Sequence, residues 1–243
     1  VCVEVQYPSS ALSTRSNTVV VMAGGKGMRL RPLTESTPKP LLPVGGKPVL
    51  QRIIENLSVE GFTDIVIALN YLGEQIEAHF GDGSAFGVGL RYLREDSPLG
   101  TAGALSLLEA PFSSPVVVMN ADLLVSARVT QLVDFHIKKE ALITVGAKTV
   151  ETVVPFGVLQ TRGHLVQEIR EKPVHHDLVN AGVYVLDASV LKQLRANMPA
   201  DMPELISANL GKGAVLAFPL YEDWIDLGRP DDLRRAQEWA RDG

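Results

Sequence analysis

With 243 residues and a formal net charge of −5, the chain has room for one large domain or two small ones, and it lacks the positive excess that suits nucleic acid or an anionic membrane. A single cysteine, Cys2, excludes an intramolecular disulfide and fits a reducing, cytoplasmic setting. No apolar run approaches the ~18 residues that cross a bilayer, and no basic-then-apolar leader is present, so neither membrane insertion nor secretion is expected.

Residues 1–17 end in the polar run Ser13-Thr14-Arg15-Ser16-Asn17 and read as a linker or the remnant of an upstream domain, leaving 18–243 as the globular unit. From Thr18 onward, short β-branched runs alternate with helical patterns. Strands are predicted at 18–23, 64–69, 89–94, 115–119, 142–147, 156–161, 181–186 and 214–218. Helices are predicted at 48–60, 73–80, 101–109, 128–139, 188–196, 203–209 and 230–241. The last of these opens with Pro230 and the carboxylates Asp231 and Asp232, which suit the positive end of a helix. This alternation implies an α/β fold, a Rossmann-like three-layer sandwich with a mostly parallel central sheet. The strand-rich region 141–186 is expected to add antiparallel strands and a smaller lid. In an open parallel sheet, ligands sit at the carboxyl ends of the strands. The loop at 24–33 and the turns after Leu93 and Met119 should therefore converge on one crevice.

The most informative segment follows the first strand. Ala23 leads into Gly24-Gly25-Lys26-Gly27-Met28-Arg29-Leu30, and Lys39 comes ten residues after Arg29, between Pro38 and Pro40. Glycines let backbone N–H groups approach an anion closely, Arg29 offers a planar fork for phosphate oxygens, and Lys39 supplies a point charge on a stiffened segment. By itself the loop also reads as a tight strand-to-helix turn. It is not a dinucleotide fingerprint, because Leu30 stands where the third glycine is needed, and it is not a P-loop, because Gly46-Lys47 is followed by Pro48. Two aspartates lie at comparable junctions: Asp122 in Asn120-Ala121-Asp122, after an apolar strand, and Asp226 in Trp224-Ile225-Asp226-Leu227-Gly228, before the final helix. Each reads alone as a cap or turn residue; together they form a candidate pair for a divalent cation. The five histidines are scattered, and surface placement is expected for each.

The composite Gly-Gly-x-Gly-x-Arg-Leu-x-Pro-Leu-Thr, followed by Pro-Lys-Pro-Leu-Leu-Pro-Val, resembles the signature of the sugar-1-phosphate nucleotidyltransferases. The resemblance extends over 18–241 and is strongest to the guanylyltransferases acting on mannose-, heptose- or glucosamine-1-phosphate. It implies transfer of a nucleoside monophosphate from an NTP to a sugar-1-phosphate, with release of pyrophosphate. It also implies Mg²⁺ held by Asp122 and Asp226, with Arg29 and Lys39 completing the catalytic set. Ala23, Gly24, Gly25, Gly27 and Arg29 would cradle the nucleotide, with Glu95, Gly100 and Thr101 in the base-reading loop. Gly157, Glu171, Lys172 and Asn180 would hold the sugar phosphate. The chain departs from the pattern at Ala121, where glycine is usual, and at Met28, where a small hydroxyl residue is common.

A carboxylate offers only acceptors, and guanine presents two adjacent donors where uracil or thymine presents one, so Glu95 tilts the nucleotide to GTP. UTP, dTTP or CTP remain alternatives, as does a catalytically silent regulatory or binding homologue. No base is needed, because a phosphate monoester with a second pKa near ~6 is already largely deprotonated at neutral pH. Some members of this family carry nucleotide-sensing CBS modules before the transferase domain, which is one reading of the polar N-terminal run; a homo-oligomer is also compatible.

Overall fold

The computed structural model describes residues 14–109 and 115–242, so Cys2 and most of the 1–17 segment lie outside the described residues. In chain order the elements are β1 (Val19–Met22), β2 (Pro43–Val44), β3 (Lys47–Pro48), α1 (Val49–Val59), β4 (Asp64–Leu69), α2 (Gly73–Phe80) and β5 (Gly89–Arg94). There follow β6 (Val116–Asn120), β7 (Leu123–Val125), α3 (Val129–Lys138), β8 (Ile143–Val153), β9 (Gly157–Arg162), β10 (Leu165–Glu171) and β11 (Val174–Leu186). The chain closes with α4 (Ala188–Leu191), α5 (Met202–Asn209), β12 (Val215–Pro219), β13 (Trp224–Asp226) and α6 (Pro230–Asp242).

A seven-stranded sheet in the order β12-β8-β11-β6-β1-β4-β5 forms the middle layer. Within it β1 runs parallel to β4 and β6, β4 to β5, and β12 to β8, while β11 is antiparallel to both of its neighbours. The mostly parallel sandwich expected from the alternation is therefore the observed fold. Alternation along β1 explains the layers. Val19 and Val21 face a core completed by α1, α2, α3 and α6, while Val20 faces a second core closed by α4 and α5. All three valines are fully buried, so a run of β-branched residues with no polar face is what this position demands. Asn17 is also buried and donates to the Pro115 carbonyl at 2.7 Å, and Arg15 bridges to Phe62, so 15–17 are held against the domain.

Three expectations needed revision. The helix predicted at 101–109 is a short 3-10 turn at Gly103–Leu107, and the one at 188–196 stops at Leu191. In the first segment, Ala102 and Gly103 donate their N–H groups to the Ala200 carbonyl, fixing the backbone by tertiary bonds before an α-helix can form. The third concerns His136, expected at the surface. It is 3% exposed on α3, with Nδ1 2.9 Å from the Thr144 hydroxyl, because α3 turns this face onto β8. His79, His164, His175 and His176 are exposed.

β8 and β11 run well past the sheet. The ladder from Ile143↔Leu186 to Ala147↔Asn180 lies in the sheet, and from Lys148↔Val179 it continues as a two-stranded ribbon into the β9–β10 hairpin. A register shift between Asn180 and Tyr184, with Gly182 at φ 75°, marks the departure. A bulge of this kind bends and re-aims a strand. Among the described residues no helix is long and apolar enough to cross a membrane.

Candidate active site

The carboxyl ends of β1, β4, β5 and β6 bring their loops to one cleft. Ala23 N–H donates to the Ala68 carbonyl, Ala121 N–H to the Met22 carbonyl and Glu95 N–H to the Leu69 carbonyl, so the ladder is still closed where the turns begin. The cleft is walled by Gly24, Gly25 and Lys26 from the first turn, Asn70, Glu95 and Pro98 with Gly100 and Thr101 from the next two, and Asn120 and Asp122 from the β6–β7 turn. The expected convergence of the three turns is thus observed.

Local geometry explains the glycines. A Cβ on Gly24 would stand 3.1 Å from the Asn70 Cβ and 3.2 Å from Glu95 Oε1, so the loop backbone lies directly against the β5 turn. Gly27 adopts φ 59°, and a Cβ there would come within 2.9 Å of the Thr34 side chain and 3.3 Å of the Lys39 Cβ. This left-handed position folds the loop back so that Thr34 donates to the Gly27 carbonyl at 2.8 Å. Buried Leu30 anchors the turn, while Met28 and Arg29 stay exposed. Arg29 lies across Gly228, where a Cβ would meet its Nη2 at 3.1 Å. The glycine loop and the Trp-Ile-Asp-Leu-Gly segment therefore touch.

Asp122 and Asp226 are placed together by a small antiparallel ladder. β13 pairs with β7, with Asp226 opposite Leu123, and Leu227 N–H donates to the Asp122 carbonyl at 3.1 Å. Trp224 ties this ladder to the main sheet by donating Nε1–H to the Ala181 carbonyl at 2.9 Å, at the β11 bulge. Lys39 forms an ion pair with Asp122 Oδ2, with both side chains largely out of solvent. The Oδ1 atoms of Asp122 and Asp226 are buried with no hydrogen-bond partner. Burial, then the charge of Asp122, pushes the Asp226 carboxyl above its ordinary range, against the pull of Lys39 and Arg29.

Two adjacent acids with orphaned oxygens fit a divalent cation. A buried carboxylate oxygen without a donor is costly, and hard oxygen donors suit Mg²⁺. Among the described residues no group of three or more His, Cys, Asp or Glu could hold a metal. Two carboxylates, with the remaining positions left to phosphate and water, is the way Mg²⁺ is commonly held.

Glu95 is half-buried. Its Oε2 accepts the Leu99 N–H at 2.9 Å, its Oε1 points at Gly24, and burial raises its carboxyl above the ordinary value while the Leu99 N–H opposes the shift. Thr101 lines the cleft, but its N–H and hydroxyl both donate to Asp201, and the hydroxyl accepts the Met202 N–H at the start of α5. Gly100, at φ 79°, has Ala200 and Asp201 against its α-carbon, so both residues fix the loop after β5 onto the start of α5.

The residues expected on the sugar side are dispersed. Gly157 and Glu171 are paired on the hairpin, and Lys172 follows in a left-handed conformation at φ 44°. None of the three walls the cleft at the glycine loop. The Asn180 carboxamide is engaged at the bulge, accepting the Gly182 N–H and donating to the Tyr184 hydroxyl.

Four contributors escaped sequence reasoning. Asn70 walls the cleft at the glycine loop and donates to the Glu95 carbonyl at 3.2 Å. Asp226 itself lines a second cleft, together with Arg29, Lys148, Gly228, Arg229 and Arg235, among others. Arg229 follows Gly228 directly, so its position was legible; Lys148 and Arg235 belong to a strand and a helix whose patterns carry no such signal.

Comparison with known proteins agrees with this geometry. A mannose-1-phosphate guanylyltransferase of Mycobacterium tuberculosis is 32% identical over 233 residues, which is 92% of this chain and 64% of that protein. A mannose-1-phosphate guanyltransferase of Yarrowia lipolytica is 34% identical over 222 residues, 88% of this chain and 61% of that protein. The chain thus spans a little under two thirds of the length of these relatives. Among solved structures, a Bacillus anthracis protein described as a glucose-1-phosphate thymidylyltransferase superposes with a TM-score of 0.77 at 28% identity, covering 94% of this chain and 96% of that one. HddC from Yersinia pseudotuberculosis superposes with a TM-score of 0.70 at 26% identity, covering 92% and 99%. The nucleotidyl transferase family model matches residues 18–242, and with the glycine loop, the paired acids and the doubly covered sheet in place, this chain belongs to that family.

Proposed function

We propose that this protein transfers a nucleoside monophosphate from an NTP, GTP in our reading, to a sugar-1-phosphate, giving an NDP-sugar and pyrophosphate. The observation that carries this is the pair Asp122 and Asp226, two half-buried acids each with one buried, orphaned oxygen, the first lining a glycine-walled cleft and the second a basic one, with Arg29 reaching over Gly228.

The residues divide the work. Gly24 and Gly25 let the triphosphate lie close to the backbone, and Lys26 and Arg29 offset its charge. Lys39 holds Asp122 and compensates the two carboxylates. Arg229, Arg235 and Lys148 draw the second anion to the opposite side, with Glu171, Lys172, Gly157 and Asn180 as the sugar-side set. A sugar phosphate oxygen forms a bond to the α-phosphorus, the bond from that phosphorus to the β-phosphate bridging oxygen breaks, and pyrophosphate leaves with the electron pair. The nucleophile is already anionic, so the protein's task is alignment and charge compensation. When bound, Mg²⁺ supplies Lewis-acid neutralisation of the phosphate oxygens, and Asp122 and Asp226 are the residues that would hold it.

GTP is favoured by Glu95, whose Oε1 faces Gly24 and whose Oε2 keeps a lone pair beyond the one taken by Leu99, and by the names of the curated relatives. The likeness to the Bacillus anthracis structure favours dTTP as the second reading. Pyrophosphate release measured for each NTP against mannose-, glucose-, heptose- and glucosamine-1-phosphate with Mg²⁺ tests both. Higher kcat/KM with dTTP than GTP would overturn the base assignment, and no release from any pair would favour a silent binding homologue.

A further inference from the structure

Asp122 stands at the turn into β7 and Asp226 at the end of β13, and these two strands pair with each other in a sheet of their own, apart from the seven-stranded one. Their ladder has three residue pairs. Two strands of this length are marginal in water by themselves, so contacts outside the ladder must fix where the acids stand.

The bulge of β11 meets both acid-bearing segments. Ala181 and Gly182 have no ladder partner in β8 or β6, the register resuming at Tyr184 against β8 and at Val183 against β6. In that gap the Ala181 carbonyl accepts the Trp224 Nε1–H at 2.9 Å. Trp224 stands two residues before Asp226, and the period of two in a strand puts both on one face of β13. Gly182, at φ 75°, lies against the other segment: a Cβ there would stand 2.7 Å from Asn120 Nδ2 and 3.0 Å from Leu123 Cδ1. Asn120 precedes Asp122 by two residues and Leu123 follows it directly. One gap of two residues therefore touches the flank of each acid.

The bulge is itself held. Asn180 accepts the Gly182 N–H at 3.0 Å and donates to the Tyr184 hydroxyl at 2.8 Å, and Tyr184 is 5% exposed in the second core. Glycine permits the close approach twice over, by its left-handed backbone and by its missing Cβ. Bulges recur beside active sites, where they aim a group. Mg²⁺ tolerates little departure from octahedral geometry, so the separation of two carboxylates matters to it.

We propose that the β11 bulge is the positioning element of the acid pair and that Trp224 is a positioning residue for the reaction. The indole bond to Ala181 and the packing of Gly182 on Asn120 set Asp226 and Asp122 at the separation a divalent cation requires; this rests on the reading of the two acids as a cation pair. Trp224 also lines the cleft that Asp226 lines, so the rival role is a direct contact with the second substrate, which would move KM.

Mn²⁺ alone is the probe, with the free ion counted by electron paramagnetic resonance, on the full chain and its variants. Trp224→Phe keeps a ring and removes the donor. Tyr92→Phe is the matched control: it also removes a side-chain bond to a carbonyl, that of Gly81, but from the edge strand β5. Trp224→Phe raises the Mn²⁺ dissociation constant about 10-fold, the lower end of the loss when a partner behind a metal ligand is removed. It lowers kcat for pyrophosphate release in similar proportion and leaves KM for NTP and sugar phosphate within about 2-fold, while Tyr92→Phe changes neither. Tyr184→Phe, which releases Asn180 but keeps the buried ring, raises the same constant about 3-fold, within the worth of one neutral hydrogen bond, and tests the bulge should Trp224→Phe fold poorly. Normal Mn²⁺ binding by Trp224→Phe, with binding lost in Asp226→Asn, overturns the proposal and leaves the acid pair standing. A raised sugar-phosphate KM at unchanged Mn²⁺ affinity overturns it too, since Trp224 would then act on substrate, and so does an equal loss in Tyr92→Phe. Unchanged Mn²⁺ binding in Asp226→Asn overturns the cation reading and the proposal with it.

Discussion

Lys39 and Asp122 form an ion pair that crosses from the proline-stiffened segment to the β6–β7 turn, and it leaves Asp122 with one oxygen engaged and the other orphaned beside Asp226. Lys39 was expected on a phosphate and Asp122 on a metal; their contact makes them parts of one electrostatic unit. A single ammonium cannot neutralise two carboxylates, and the remaining negative charge is what a divalent cation would compensate.

Asp226→Asn should lower kcat for pyrophosphate release by roughly 10³-fold, the scale associated with removing one preorganised charge contact. Stability should not fall. Burial and Asp122 push this carboxyl up, so a neutral isostere relieves a cost at neutral pH. A variant with near-normal turnover would remove Asp226 from the site; one with a markedly reduced Tm would assign it a structural role.

Arg29→Lys should cost about 10²-fold in kcat, since a compact ammonium cannot reproduce a planar fork on phosphate. Gly228→Ala should produce a smaller loss of the same kind. Its added methyl would stand 3.1 Å from Arg29 Nη2 and displace the guanidinium without removing it. If Gly228→Ala alters Tm but not kcat, the contact does not position Arg29 for catalysis.

If Glu95 reads the base as proposed, Glu95→Gln should reduce kcat/KM for GTP by about 10-fold or more while changing that for dTTP little, because an acceptor-only carboxylate becomes a mixed donor and acceptor. Burial raises the Glu95 carboxyl, so the unfolded state releases its proton first. Stability from this group is then lost as pH rises from below the unfolded value through the raised folded one, and the amide should remove that loss. Equal effects on GTP and dTTP would show that Glu95 does not read the base.

His136 gives a pH dependence of opposite sign. Burial lowers its pKa, with Asp187 opposing, so the unfolded state binds the proton first as the solution is acidified. Stability is full above the unfolded value near ~6.5 and falls as pH drops below it, with a slope of at most about 1.4 kcal/mol per pH unit. Denaturant unfolding at pH 7, 6 and 5 should show this decline, and His136→Gln, which can still face Thr144, should flatten it. Identical slopes in the two proteins would assign the acid sensitivity to other groups.

Much of the candidate site was legible before any coordinates. Ala23 to Leu30 follow a buried strand, and although the glycine loop alone also reads as a tight turn, its combination with Arg29 and the Pro38-Lys39-Pro40 segment points to an anion. Asp122 and Asp226 each stood beside an apolar run, where an acid needs a reason to be. His136 was misread because a single polar residue on an amphipathic helix says nothing about which neighbour its face meets. The 101–109 segment was misread because its backbone bonds go to Ala200, about a hundred residues away.

The residues by themselves determined the alternation of strands and helices, the order of the layers and the chemistry of the loop. Those depend on local periodicity and on what each side chain can donate or accept. Tertiary structure alone decided that Lys39 meets Asp122, that Arg29 lies on Gly228, that Thr101 is engaged by α5, and that β8 and β11 run on together as an exposed ribbon. Each of these is a contact between segments distant in sequence, fixed by how the sheet closes rather than by any pattern along the chain.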